Sequence, residues 1–310
     1  MRFLWVVLEE INPLIYVMKY TKINTLYKRY EFNKEACPEK KWLAMRNKII
    51  LGNFSDDWAE YLKDLKFDCF SKIDGTNTRI IWWPGKKELM FCGKTDDSDP
   101  NQFGLQDFFK PFHDKLLEIC STLWPDPRYV PATDYETKLP LYTDMTGVSC
   151  VKPMKEGKYT VDIIEEPVTI YGELYGKGIG QAGKQYSDSH EFRVFDICAQ
   201  GWWYPISMLF QYADSLGLTV APYIGPLSIM EAEEKVKAGF KTLVPGVKNP
   251  DMLEEGIVAR PIIPIFDSRK NRIIVKIKTK DYQDLDRAIK EIGGEEEYEK
   301  FKDWYENQEG

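Results

Sequence analysis

Apolar and polar positions change period several times along the 310-residue chain, and each change marks an expected element. Trp58, Tyr61, Leu62 and Leu65 recur at helical spacing and predict a helix over Asp56–Leu65. Compact runs rich in β-branched and aromatic residues predict strands at Phe67–Ser71, Thr78–Trp83 and Leu89–Cys92. Phe108, Phe112, Leu116, Ile119 and Leu123 return to the helical period, predicting a helix over Phe108–Leu123. Trp124–Lys155 is Pro-rich and aperiodic and reads as a long loop or inserted excursion. Further strands are expected at Val168–Leu174, Phe192–Cys198, Gly201–Pro205, Glu255–Arg260 and Arg272–Lys278. Helices are expected near Ser207–Leu216 and Ser228–Ala238, and a charged helix over Tyr282–Gln308 carries a Gly293-Gly294 break. No segment repeats at a period of about 20 to 50 residues, which excludes solenoids and propellers. Strands dominate the middle and helices fall between them irregularly, so the pattern predicts an α+β fold and not a doubly wound sheet.

Composition narrows the class. The chain is 43% hydrophobic and 14% aromatic, which excludes an intrinsically disordered protein. Its six cysteines (Cys37, Cys69, Cys92, Cys120, Cys150, Cys198) stand singly, and His113 and His190 lie outside any cysteine cluster. That spacing argues against a zinc site and against a disulfide framework, and points to reduced thiols in a cytoplasmic protein. The apolar run Met1–Leu8 meets Glu9-Glu10 and is too short to span a bilayer, so no membrane partner is expected. The net charge of −7 argues, taken alone, against a partner bearing many phosphates. Its distribution changes that reading. Residues 1–50 hold ten basic and five acidic residues, whereas 286–310 hold nine acidic and four basic ones, an acidic helical tail.

Several segments carry candidate chemistry. Ser71-Lys72-Ile73-Asp74-Gly75-Thr76-Asn77-Thr78-Arg79 frames an Asp-Gly turn with a lysine, an asparagine and an arginine. Asp-Gly is a strong hairpin signal, so a plain β-hairpin is one reading. The other is a nucleophilic lysine whose amine is activated by neighbouring cations or by desolvation. Arg269–Lys280 supplies such cations, with six basic residues and no carboxylate. Lys276 and Lys278 alternate with Val275 and Ile277 and so share one strand face. A solvated edge strand guarded by lysines is the competing reading. Glu173 within Tyr171–Gly176, Asp196 at the end of an aromatic strand with Phe195, and Glu255 at the head of a strand offer carboxylates and an aromatic face. No Gly-x-x-x-x-Gly-Lys-Ser/Thr occurs, which excludes a P-loop, and the Gly-rich stretch Gly172–Gly183 fits neither that form nor a dinucleotide fingerprint.

These residues together resemble the covalent nucleotidyltransferases, which comprise ATP-dependent RNA and DNA ligases and mRNA capping enzymes. Lys72-x-Asp74-Gly75 looks like motif I, Tyr171-Gly172-Glu173 like motif III, and Phe192-x-x-Phe195-Asp196-Ile197 like motif IIIa. Glu255-Gly256-Ile257-Val258 looks like motif IV and Lys276-x-Lys278 like motif V, all in family order. Lys72–Asn77 and the upstream Tyr20–Lys28 are most similar to the RNA ligase 2 branch and its phage relatives. The resemblance implies an ATP-grasp-like nucleotidyltransferase domain of antiparallel sheets flanked by helices, with the nucleotide in a cleft between them. It implies a ligase domain over 1–285, with 124–155 inserted, and the tail at 286–310. Residues 1–17 are either an added strand and loop or an extension upstream of a start at Met18. Only residues 279–310 follow motif V, too few for an OB-fold, and an accessory protein replacing that clamp is one expectation for an otherwise monomeric enzyme.

The resemblance also assigns roles, with ATP and Mg²⁺ (or Mn²⁺) as cofactors. Lys72 attacks the α-phosphate of ATP and holds AMP, while Lys276 and Lys278 contact phosphate oxygens. Ile73, Asn77, Arg79, Glu173, Phe195, Asp196 and Glu255 complete the nucleotide site: Phe195 stacks on adenine, Glu173 holds the ribose, and Glu255 and Glu173 place the metal. Lys94 and Asn77 meet the 5′-phosphate end, with Lys94 standing where an arginine is usual and giving up its bidentate geometry. The implied partner is a nucleic acid, RNA ends first and DNA ends second. A small DNA ligase, a GTP-dependent capping guanylyltransferase and a non-catalytic nucleic-acid-binding module are the alternatives.

Overall fold

The computed structural model describes residues 20–94, 102–125, 131–133, 140–142, 151–153, 159–161, 167–199 and 201–309. The fold is α+β, with antiparallel and mixed sheets between helices. The chain forms two compact units, one of residues 1–20, 78–171 and 196–204, the other of 21–77, 172–195 and 205–310.

The larger unit is built on a five-stranded sheet in the order Asn24–Thr25, Val275–Lys278, Gly256–Pro261, Phe67–Ser71, Tyr223–Leu227. The first pair is parallel and the others are antiparallel. Alternation decides its faces. Phe67, Cys69, Ile257, Ala259, Val275 and Ile277 all point into one buried core, while the residues between them point the other way. Helices Ile229–Ala238 and Thr279–Ile292 contribute Ile229, Ala232, Val236, Leu285, Ala288 and Ile289 to the same core. Each of the buried Ile, Leu, Val and Phe side chains stabilises the fold by roughly 1.5–3 kcal/mol relative to exposure, and the alanines by less. Ser228 starts the first helix with a capping box: its hydroxyl accepts from the Glu231 amide at 3.1 Å, and Glu231 accepts from the Ser228 amide at 2.6 Å.

The expected C-terminal helix is two, Thr279–Ile292 and Glu295–Glu309, divided at the glycine pair. The second carries most of the acidic charge of 286–310, yet its inner face is aromatic. Tyr298, Phe301 and Tyr305 are buried with Tyr30 and Trp42, and the Phe301 ring meets Tyr30 edge-on at 4.8 Å. The acidic residues occupy the solvent side of a helix that belongs to the core.

In the smaller unit, Thr78–Trp83, Glu88–Cys92, Val168–Tyr171, Asp196–Ala199 and Trp202–Trp203 lie in one sheet, and the first, third and fourth of these segments belong to strands that continue into the other unit. The helix expected over Phe108–Leu123 is interrupted. Leu105–Phe109 and His113–Leu123 are α-helical, with a 3₁₀ turn at Lys110–Phe112 between them. Pro111 is the cause, because it lacks the amide that an unbroken helix needs there. Phe109 stacks on Phe91 at 4.7 Å, and Trp82 Nε1 donates to the Trp124 carbonyl at 2.9 Å.

Two other expectations change. Within 124–155, Pro131–Thr133 pairs with Pro140–Tyr142, and Val151–Pro153 pairs with Tyr159–Val161 just beyond it, so the excursion contains strands; apart from these and residues 124–125 it lies outside the described residues. Residues 1–17 also lie outside them. Asp74-Gly75 does not close a hairpin, because Phe67–Ser71 and Thr76–Trp83 belong to different sheets.

The aromatic seam predicts that Phe301→Ala destabilises the protein by about 3–5 kcal/mol. Urea unfolding should show a lower midpoint, whereas Glu299→Ala on the exposed side should leave the midpoint within about 0.5 kcal/mol of the parent.

Candidate active site

The larger unit brings together side chains drawn from four separate stretches of sequence. Lys72 stands just beyond strand Phe67–Ser71, and its amide donates to the Gly256 carbonyl at 3.0 Å. Gly256 in turn pairs with Lys278 across the next ladder. Lys72, Gly256 and Lys278 therefore follow one another across the sheet, and the middle position carries no side chain. A Cβ on Gly256 would run into the Ile277 carbonyl, and its φ of 155° suits glycine.

Glu255 joins the two cations. Its Oε2 lies 2.7 Å from Lys72 Nζ and its Oε1 lies 3.7 Å from Lys278 Nζ. The three side chains keep 21%, 19% and 32% of their surface, so the cluster is sheltered yet reachable. Lys276 shares the face of Lys278 by alternation, on the side opposite Val275 and Ile277, and is partly exposed.

Glu173 completes the group. Protein surrounds its carboxyl closely, and desolvation pushes its pKa up to about 8; the Lys72 cation opposes the shift, while Glu255 and Asp74 add to it. A carboxyl in that state gains most from a cation brought beside it.

Asp74 has a role the sequence did not announce. Its Oδ2 accepts from the amides of Gln181 and Ala182, both at 3.0 Å, and its own amide donates to the Tyr186 hydroxyl at 3.2 Å. The Gly-rich stretch that fitted no nucleotide cradle is thus a backing loop clasped by the lysine turn. Gly180 permits the approach: its φ is 66°, and a Cβ there would lie 3.0 Å from the Asp74 carboxylate.

The remaining expected site residues divide. Ile73 is buried, and Asn77 is partly exposed with its Oδ1 buried and without a hydrogen-bond partner. Phe195 is partly exposed, and its carbonyl accepts from Arg260 Nη1 at 3.1 Å. The Arg260 guanidinium lies 4.9 Å from the Phe70 ring centre. In the smaller unit, Arg79 is fully buried, and its Nε donates to the Gly93 carbonyl at 2.9 Å. It braces the chain just before Lys94. Asp196 is buried and accepts from the Tyr20 hydroxyl at 3.0 Å; Lys94 is exposed. The sequence reading passed over Asp74, Tyr186 and Arg260 as positioning groups. The Glu254-Glu255 doublet was the one signal that a second carboxyl reaches the same place.

The donor set suits a nucleoside triphosphate with a divalent cation. Lysines face phosphate charge, Glu255 and Glu173 offer hard oxygen ligands, and the orphan Oδ1 of Asn77 is a buried acceptor awaiting a donor.

A lysine presented to a carboxylate on a strand end, with further lysines beside it, is the arrangement expected of a covalent nucleotidyltransferase. Residues 67–278 match the RNA ligase family model, and the chain belongs to that family. A search of curated protein sequences finds no match. Solved structures of Naegleria gruberi RNA ligase are similar. A mutant with ATP and Mn is 14% identical, with a TM-score of 0.46, over 74% of this chain and 55% of that one. Another mutant with ATP and Mn is 13% identical at a TM-score of 0.47, over 85% and 63%. A third, with AMP and Mn, is 12% identical at 0.46, over 87% and 64%. The chain spans between 55% and 64% of the length of these three solved chains. Among the described residues, no helix is long and apolar enough to cross a membrane.

The Asp74 clasp predicts that Asp74→Ala speeds hydrogen exchange at the amides of Gln181 and Ala182. Asp74→Asn, which keeps an acceptor oxygen, should retain most of the protection. Unchanged exchange in the alanine variant would show that the loop holds itself.

Proposed function

We propose that this protein is an ATP-dependent RNA ligase that works through a lysyl-AMP intermediate on Lys72. The observation that carries the reading is the Lys72–Glu255–Lys278 cluster, with contacts of 2.7 and 3.7 Å, inside a chain of the RNA ligase family.

In the first step the Lys72 amine attacks the α-phosphorus of ATP. A nitrogen–phosphorus bond forms, the bond to the β-phosphate oxygen breaks, and pyrophosphate departs with that electron pair. Glu255 is the carboxylate nearest the attacking nitrogen, holding the side chain in line and standing where the departing proton can be taken. Lys278 and Lys276 offer positive charge to oxygens that gain charge as the bonds exchange. Phe195 gives the adenine a face, and Glu173 is near enough to Lys72 to meet the ribose. Glu255 and Glu173 would hold a divalent cation, which supplies charge neutralisation on the phosphates.

In the second step an oxygen of an RNA 5′-phosphate attacks the adenylyl phosphorus, and the bond to Lys72 breaks. In the third, a 3′-hydroxyl attacks the 5′-phosphorus, a phosphodiester forms and AMP leaves. Asn77 is our candidate for a contact to the 5′-phosphate.

Incubation with α-labelled ATP and Mg²⁺ should label the protein, and Lys72→Ala should abolish the labelling. Joining assays on matched RNA and DNA ends should favour RNA. Preferential labelling by GTP would instead make the protein a guanylyltransferase, preferential joining of DNA ends a DNA ligase, and salt-sensitive binding without any adduct a non-catalytic binding module.

A further inference from the structure

One buried carboxyl beside the site has no part in the chemistry above. Glu254 keeps 1% of its surface, and burial raises its pKa against the opposing hydrogen bonds from Ser71 and the Leu243 amide. Placing such a group in the interior is costly unless its bonds are used.

Its partners sit next to the reacting residues. Glu254 Oε2 accepts from the Ser71 hydroxyl and, at 3.0 Å, from the Leu243 amide. Ser71 immediately precedes Lys72, and Glu254 immediately precedes Glu255. Consecutive residues in extended chain point to opposite sides. The two segments are therefore tied by two side-chain rungs: Ser71–Glu254 on the buried side, and Lys72–Glu255 on the open side at 2.7 Å. The ladder itself runs out here. Ser71 pairs with Ile257, and beyond it the Lys72 amide bonds the Gly256 carbonyl. From the other edge, Thr279 Oγ1 donates to the Glu254 carbonyl at 2.8 Å, and the Thr279 amide donates to the Glu255 carbonyl at 3.0 Å.

We propose that Glu254 is a positioning residue for Lys72: through Ser71 it fixes the end of the lysine strand, so that the amine is presented to Glu255 and to the α-phosphorus. The inference rests on the reading of Lys72 as the nucleophile. Its chemical consequence is specific to one step. Lys72 must be aimed to form the lysyl-AMP bond, whereas joining a strand that already carries a 5′-adenylate asks no attack of it.

The test uses the full chain and the variants Ser71→Ala, Glu254→Ala and Glu254→Gln. Two rates are measured: lysyl-AMP formation from α-labelled ATP, and joining of a pre-adenylated RNA strand. Ser71→Ala and Glu254→Ala should slow the first by about 10- to 100-fold, the scale of a misplaced reacting group, and leave the second within about twofold. Glu254→Gln keeps an oxygen for Ser71 and Leu243 and should restore most of the first rate. If Glu254→Ala does not fold, Ser71→Ala removes only a hydroxyl and still gives the comparison. Equal losses in both rates, or alanine variants that form lysyl-AMP at the parental rate, would overturn the proposal. A parental chain that forms no lysyl-AMP would overturn the reading of Lys72 and this inference together.

Discussion

The contact between Lys72 and Glu255 is the interaction around which the larger unit is arranged. A flexible lysine on its own samples many rotamers and presents its amine nowhere in particular. Here the amine is held at 2.7 Å by a carboxylate that also faces Lys278 at 3.7 Å. The two cations flank strand Gly256–Pro261 of one sheet, with Gly256 between them in the ladder, so the spacing is set by backbone geometry. The carboxylate balances two positive charges that would otherwise repel.

The elements around this contact serve to keep it in place. The odd-numbered residues of three strands anchor the sheet in the core with helices Ile229–Ala238 and Thr279–Ile292. Asp74 ties the turn after Lys72 to the 181–182 backbone, Ser71 and Glu254 tie the strand before it, and Arg260 holds the backbone at Phe195. Glu173 stands near the cluster with its pKa raised to about 8, poised to gain from added positive charge. The net charge of −7 looked adverse to a polyanionic partner, but the final helix, with seven acidic and two basic residues, holds much of that net excess, and its inner face is aromatic.

Much of the architecture was legible in the sequence because its signals are local. Phe67–Ser71 forms as expected, and strands Val168–Gly176, His190–Ala199 and Gly256–Pro261 fall close to their expected places, since runs of buried apolar residues bounded by turns survive any tertiary context. Asn24–Thr25 and Tyr223–Leu227 were missed: the first is two residues long, and the second contains Gly225-Pro226, which reads as a turn. The lysine turn looked like a hairpin because Asp-Gly commonly closes one; its aspartate instead bonds residues 107 and 108 positions away, a distance no local pattern encodes. The setting of Arg79 is likewise not written locally. A cation in an alternating strand reads as exposed, and only the packed structure shows it turned inward to the Gly93 carbonyl. Lys278 was legible because strand alternation fixes its side; Glu255 lies just before strand Gly256–Pro261, outside the alternation that sends Ile257 and Ala259 into the core, and Glu254 became meaningful only when its partner Ser71 was seen beside it.

If Lys72, and no other lysine of the basic face, bonds to phosphorus, then peptide mapping by mass spectrometry after incubation with ATP and Mg²⁺ should find adenylyl mass on the peptide containing Lys72 and on no other. An adduct on Lys276 or Lys278, or none on any lysine, would contradict it.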